Sequence, residues 1–304
     1  MIEKRVLVIG GNGLLGTTFR HVVGDKYTYT VRKFSDEKFN SDIAIGNIED
    51  LSIENDAELF QGFDVVINCA AVTAVDNIES DYSIHEKAIK ANYYGVEKLA
   101  AICKYVGATL IHISSDYVFD GTLGREYYPS DKTYPINSYG SLKVAGENAV
   151  INSGCKYIII RTSWVYSEYA KSFVTSFFDK LYNESEFKGV NDIISSPTYA
   201  VDLAKAIEKI IDDNMLNNIG IYHFTNEGCC TKYDIMCYVA TLMKNFDGVI
   251  TPVSNTEFNL PAKRPYCSVL SKQSFKTTFN IPIRGWMSAM KECVENYIEF
   301  KQEN

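Results

Sequence analysis

Short apolar runs alternate with stretches of helical periodicity through the first half of the chain. Runs at 4–10, 27–32, 64–69, 108–114 and 156–161 read as strands, and centres such as VLVI, VVI and YIII are apolar, as strands covered on both faces require. Between them, TTFRHVV, EKAIKANYYGVEKLAAICKYVG and YGSLKVAGENAV place apolar side chains at helical spacing. Such alternation predicts an α/β fold with a doubly wound parallel sheet. IAIGNIEDL adds a strand expected to end at Asn47 and Ile48. After KYIIIRTSWVY the rhythm changes, and residues 164–195 and 215–304 mix shorter helices, aromatics and loops. The pattern therefore divides into a dinucleotide-binding domain over 1–163 and a smaller C-terminal α/β region over 164–304 that binds substrate. Segments near 196–226 are expected to return to the first core.

Composition narrows the function classes. At 304 residues, with 46% hydrophobic and 22% charged, the chain can bury one large core or two smaller ones. It contains no run of 18 apolar residues, and MIEKRVLVIGG leads directly into a strand instead of a signal-peptide core. A cytoplasmic protein with no membrane partner is expected. A net charge of -8 argues against a nucleic-acid partner, which requires a basic footprint. The eight cysteines lack CxxC spacing and read as packed, reduced thiols. His21, His85, His112 and His223 are scattered and suggest no metal site.

The chemistry begins in KRVLVIGGNGLLG (4–16), where Gly10, Gly13 and Gly16 are spaced three apart between a strand and a helix. Glycine lets backbone N–H groups approach a pyrophosphate, and the helix dipole favours its charge. In this Rossmann-like context, Gly10, Gly11, Asn12, Gly13, Leu14 and Gly16 are candidate cofactor contacts. Arg32 and Lys33 close the second strand, where an acid would otherwise grip a ribose hydroxyl. Two cations suit a 2′-phosphate, pointing to NADPH with NADH as the alternative. Asn47 and Ile48 are placed to flank an adenine. Ala70, Ala71 and Val72 form a small-residue loop against which a cofactor can lie.

The stretch Ser114–Lys143 carries the candidate catalysis. Tyr139 and Lys143 stand four apart on one helix face, and an ammonium beside a phenol favours the phenolate. Tyr-x3-Lys pairs recur in the chain, Tyr94 with Lys98 and Tyr128 with Lys132 among them. The Tyr139 pair differs by opening a helix after a serine at a strand end. Ser115 could hold a carbonyl oxygen while Tyr139 protonates it. Asn92, on a helix beneath the site, is a candidate prop for Lys143 through a water or carbonyl.

With these pieces in place, the chain resembles the extended short-chain dehydrogenase/reductase superfamily and, within it, the dTDP-4-dehydrorhamnose reductase family. The resemblance runs nearly end to end, through NCAAVTAVD (68–76), SSDYVFDG (114–121), PINSYGSLK (135–143), RTSWVY (161–166), NDIISSPT (191–198), GIYHFTNEG (220–228) and KRPYCSVL (263–270). It implies NAD(P)H-dependent reduction of the 4-keto group of a nucleotide-activated 6-deoxysugar, dTDP-4-dehydro-6-deoxy-L-mannose above all. By that likeness Ser115 is the catalytic hydroxyl residue and Tyr139 the proton donor. Lys143 would bind the nicotinamide ribose and lower the tyrosine pKa. Val75, Asp116, Tyr117 and Trp164 match positions that touch the sugar, Arg264 is a candidate for the diphosphate, and a homodimer is the candidate assembly.

Departures fall at Leu14, where the family carries Gln, at Ile193 and Ser195, where it carries Gln and Gly, and at Arg32, in place of the ribose-binding acid. They bear on substrate identity and leave the fold intact. Two other readings share much of the pattern. The regulatory β subunit of methionine adenosyltransferase resembles these reductases and acts by binding NADP and a partner. GLLG and TKYDIMCYVA (231–240) lean towards it, whereas RTSWVY favours a reductase because the sugar-facing tryptophan is present. A reductase or epimerase of another nucleotide-activated deoxysugar would share every catalytic residue.

Overall fold

A computed structural model describes residues 3–31, 42–243 and 246–303. The chain opens with β1 (Val6–Ile9), α1 (Leu14–Val23), β2 (Thr28–Val31) and β3 (Asp42–Ala44). It continues through α2 (Ile53–Phe60), β4 (Val65–Asn68), α3 (Val75–Ser80) and α4 (Tyr82–Ile89). A π-helical turn, Lys90–Tyr94, joins α4 to α5 (Gly95–Val106), and β5 (Thr109–Ser115), α6 (Ser138–Ser153) and β6 (Lys156–Thr162) follow.

Those six strands and a later one, β10 below, form a seven-stranded sheet in the order β3-β2-β1-β4-β5-β6-β10. All its pairings are parallel. The chain runs outward from β1 through β2 and β3, then restarts at β4 on the other side of β1. The crevice between β1 and β4 is therefore the topological switch point, where α/β sheets bind ligands at their carboxyl ends. Residues of β1 and β4 are all buried, which explains their unbroken apolar runs. The third strand stops at Ala44, short of the expected Asn47, and Ile48–Asp50 forms a 3₁₀ turn instead.

The second half contributes β7 (Val165–Tyr166), α7 (Phe173–Lys180), β8 (Glu186–Val190), β9 (Thr198–Tyr199), α8 (Ala200–Asp212), β10 (Gly220–His223), α9 (Lys232–Thr241), β11 (Val249–Val253), α10 (Gln273–Phe279) and α11 (Trp286–Glu303). Helix α8 buries Ala200, Leu203, Ala204, Ile207, Ile210 and Ile211, one helical stripe, on the sheet face also covered by Phe19 of α1. The opposite face packs against Phe60 of α2, Leu99 and Ile102 of α5 and Val150 of α6. A third apolar cluster joins α7, α9 and α11 through Phe177, Phe178, Met236, Trp286 and Met290, beside the two-stranded parallel pair β8 and β11. All eight cysteines are free thiols, and no helix among the described residues is long and apolar enough to cross a membrane.

Candidate active site

The glycine turn sits at the switch point and is held on both sides. Gly10 has φ 84°, a left-handed backbone that favours glycine, and a methyl built on it would lie 2.9 Å from the nitrogen of Ala70. A methyl on Gly16 would overlap the Gly10 carbonyl, so only glycine lets α1 start this close to β1. Gly10 N donates to Thr30 Oγ1 (3.2 Å) and Gly11 N to Thr30 O (2.9 Å), tying the turn to β2. Gly13 caps α1 without a side-chain acceptor, and the first turn holds no acid. By contrast Ser52, Asp81, Asn137, Ser172 and Thr231 each cap their helices with a side-chain oxygen. An uncapped helix start beside exposed Asn12 and Gly13 and half-buried Leu14 fits a pyrophosphate.

Arg20, which sequence reasoning passed over, braces the turn from behind. Its Nε donates to Gly11 O (3.2 Å), its guanidinium lies over the Tyr29 ring, and Nη1 pairs with Asp42 at 2.5 Å. Arg32, expected at a 2′-phosphate, falls outside the described residues. Asn47 donates to Asp50 (3.1 Å). The Ile48 side chain, expected beside an adenine, is buried in the core instead, because Gly95 leaves room for it at the start of α5.

Ala70 and Ala71 follow β4, and Val72 is fastened by Asn92. The Asn92 side chain accepts from Val72 N (2.8 Å) and donates to Val72 O (2.9 Å). The Asn92 side chain thus reaches Val72, a contact that sequence reasoning did not anticipate. Asn92 holds the cofactor-side loop, and it does so from within the π-helical turn, a distortion frequent at functional sites.

Ser115 ends β5, and Tyr139 and Lys143 rise from the first turns of α6. Asn137 starts that helix by accepting from Gly140 N (2.8 Å), and its amide donates to Lys263 O (2.8 Å). Ser138 N donates to Glu79 of α3 (2.9 Å). A methyl on Gly140 would overlap the Tyr117 carbonyl, so glycine here brings α6 against the end of β5. Ser115 Oγ accepts from Tyr117 N (3.2 Å) and donates to Asp116 Oδ1 (3.1 Å). It also lies close enough to the Tyr139 phenol to lower its pKa.

The electrostatics differ from the sequence expectation. Burial pushes the Tyr139 phenol up to about 12, offset in part by Ser115 and reinforced by the charge of Asp116. Lys143, 2% exposed, is lowered to about 8 by burial, against the opposing pull of Glu147 and Cys69. Its ammonium donates to Ile113 O at 2.7 Å, so it serves a strand-end carbonyl and does not offset the burial of the phenol.

Asp116, expected at the sugar, is turned inward. It is 2% exposed, and its carboxylate accepts from Ser115, from Ser163 (2.9 Å), from Ser195 (3.2 Å) and from Ser268 (2.6 Å). Burial raises its pKa and the four hydroxyls oppose the rise. Ser195 stands where the related pattern carries glycine. None of the three distant serines was singled out for this role, since each lies in a separate loop.

Beyond Tyr117 opens a cavity of about 470 Å³ lined by Tyr117, Trp164, Phe173, Lys232, Phe258 and Arg264 among others. Tyr117 meets Tyr139 edge-on at 5.9 Å, so this mouth adjoins the candidate proton donor. Trp164 has φ 42°, a left-handed backbone costly for a bulky residue and typical of functional positions. Arg264 is not free for a ligand's charge alone, because Asp76 in the first turn of α3 takes two of its N–H groups. That contact holds the Asp76 carboxyl below its ordinary range. Val75 opens the same helix. Among the described residues no cluster of His, Cys, Asp and Glu has the arrangement of a metal site.

Comparison with known proteins gives the family. The family described as RmlD substrate binding domain matches residues 4–299. The chain belongs to this family. Among proteins similar to this RmlD-family chain is the dTDP-4-dehydrorhamnose reductase of Aggregatibacter actinomycetemcomitans, 31% identical over 94% of this chain and 97% of that protein. The crystal structure of a dTDP-4-dehydrorhamnose reductase from Clostridium acetobutylicum superposes with TM-score 0.82 at 34% identity, covering 98% of this chain and 99% of that one. That of the Bacillus anthracis reductase in complex with NADP gives 0.83 at 28% identity, covering 97% and 100%.

Proposed function

We propose that the protein is an NAD(P)H-dependent reductase of the 4-keto group of a nucleotide-activated 6-deoxysugar, converting dTDP-4-dehydro-6-deoxy-L-mannose to dTDP-L-rhamnose. The observation that carries the reading is the gathering of Ser115, Tyr139 and Lys143 at the end of β5, next to a cavity rimmed by Tyr117 and Trp164. Gly10, Gly11, Asn12, Gly13, Leu14 and Gly16 would hold the pyrophosphate, and Ala70, Ala71 and Val72 would line the nicotinamide side. When bound, NADPH supplies the hydride that reduces C4.

The chain's own residues manage the proton. A phenol held near 12 stays protonated at neutral pH, which is the form a donor needs in the reductive direction. Ser115 keeps the hydroxyl aimed, and Tyr139 transfers its proton to the oxygen on C4 as that oxygen gains negative charge. Lys143, four residues along the same helix and held by Ile113 O, would bind the nicotinamide ribose. A regulatory subunit that only binds NADP needs the glycine turn but none of this arrangement.

The reading is tested by supplying dTDP-4-dehydro-6-deoxy-L-mannose and following loss of reduced-nicotinamide absorbance. Turnover is expected with wild type. Tyr139→Phe should lose on the order of 10²- to 10⁴-fold in kcat while keeping NADPH affinity. Turnover of Tyr139→Phe within a few-fold of wild type would remove Tyr139 from the role of proton donor.

A further inference from the structure

The charges around the cavity are not equally satisfied. Lys180 pairs with Glu184 at 3.8 Å, Lys188 with Glu257 at 3.1 Å, and Arg264 with Asp76. Lys232 has no hydrogen-bond or ion-pair partner among the described residues. Its ammonium rests against two aromatic faces, 5.1 Å from the Phe173 ring centre and 5.9 Å from that of Trp164. An ammonium carries three donors, and π faces satisfy none of them as an oxygen would.

The placement is also electrostatically uphill. Thr231 and Asp234 close a capping box at the start of α9, which makes Lys232 the first residue of that helix, at its positive end. Burial and the nearby charge of Arg264 both push its pKa below the ordinary value, with Asp76 pulling the other way. An anion in the cavity relieves each of these costs together.

Position along the cavity says which anion. Tyr117 touches Tyr139 and so marks the end nearest the chemistry. Lys232 lines the same cavity between the Trp164 and Phe173 rings, and Phe173 and Phe258 offer flat apolar surface of the kind a base stacks on. A ligand with a sugar at one end and a base at the other has its phosphates between them.

We propose that Lys232 is the cation that binds the diphosphate of the sugar nucleotide, with Arg264 held beside it by Asp76. The inference rests on the reductase reading and adds to it a residue that sets the demand for a phosphorylated substrate. In the sequence, TKYDIMCYVA leans towards the regulatory subunit. In this site the lysine of that motif serves substrate recognition.

The test is calorimetric titration of wild type, Lys232→Met and Lys232→Arg with dTDP, UDP, thymidine and uridine. Loss of one charge-assisted contact should weaken diphosphate binding of Lys232→Met about 10- to 100-fold. Nucleoside binding should be unchanged, and Lys232→Arg should stay within a few-fold of wild type. Unchanged NADPH affinity confirms that the variants are folded. If Lys232→Met binds dTDP and UDP as wild type does, while wild type still reduces the ketosugar, this inference fails and the reductase reading stands. If wild type binds neither diphosphate and reduces no ketosugar, both fail. Equal loss of nucleosides and diphosphates would also overturn the inference, since it would mean that Lys232 shapes the pocket and does not read charge.

Discussion

Asn92 offers the sharpest test of how the cofactor side is built. Its buried side chain makes two hydrogen bonds to one backbone residue, at 2.8 and 2.9 Å, and both are lost in Asn92→Ala. Each such bond contributes about 1 kcal/mol net, and a buried partner left unpaired costs about 1–3 kcal/mol. Because Val72 is only half-buried, the lower end applies, for a total of about 2–4 kcal/mol. A chain of this size should then melt about 3–6 °C lower. If the loop opens locally instead, the loss appears in cofactor binding, because only the closed fraction is competent, and NADPH affinity should fall about 10-fold or more. Asn92→Asp separates the two bonds. It keeps an acceptor for Val72 N but sets a carboxylate against Val72 O, so its deficit should narrow at low pH, where the introduced carboxyl becomes a donor. Thermal melts and fluorescence titration with NADPH read both effects. An Asn92→Ala protein with wild-type melting temperature and wild-type NADPH affinity would refute the reasoning.

Two further perturbations follow from the catalytic helix. Lys143 has its folded pKa depressed to about 8 from 10.5, so the unfolded chain holds the extra proton between those values and stability rises with pH across that window. Lys143→Met should therefore be more stable than wild type at pH 7, on the order of 2 kcal/mol after the lost bond to Ile113 is subtracted, with the difference fading towards pH 10.5. Denaturant melts across that range check it, and a difference that grows with pH contradicts it. Gly140→Ala forces α6 away from the Tyr117 carbonyl and carries Tyr139 with it. A displacement of about 1 Å should lower kcat about 100-fold, and a kcat within threefold of wild type would show that the close approach is unimportant.

Much of the sheet and the glycine turn were legible because both leave local marks. A strand covered on both faces must be apolar at every position, and a dinucleotide turn must carry glycine where β1, β4 and α1 crowd together. The Ser115, Tyr139 and Lys143 grouping could be anticipated for the same reason, since helix spacing and a strand end suffice. What could not be read is made of contacts between distant segments. Asn92 reaches Val72 only because a π-helical turn reorients it, and no residue pattern announced that turn. Asp116 is expected at the sugar because it matches a family position that touches it. Its actual surroundings come from Ser163, Ser195 and Ser268, which obey no shared period. The direction of the Tyr139 shift was missed because proximity along a helix says nothing about burial, and burial decides it.

The four hydroxyls around Asp116 also impose an order on assembly. Ser115 belongs to the part of the chain synthesised first, yet the carboxylate it leans on is completed by Ser163, Ser195 and finally Ser268. The carboxylate beside Ser115 is therefore complete only once the segment carrying Ser268 has docked onto it.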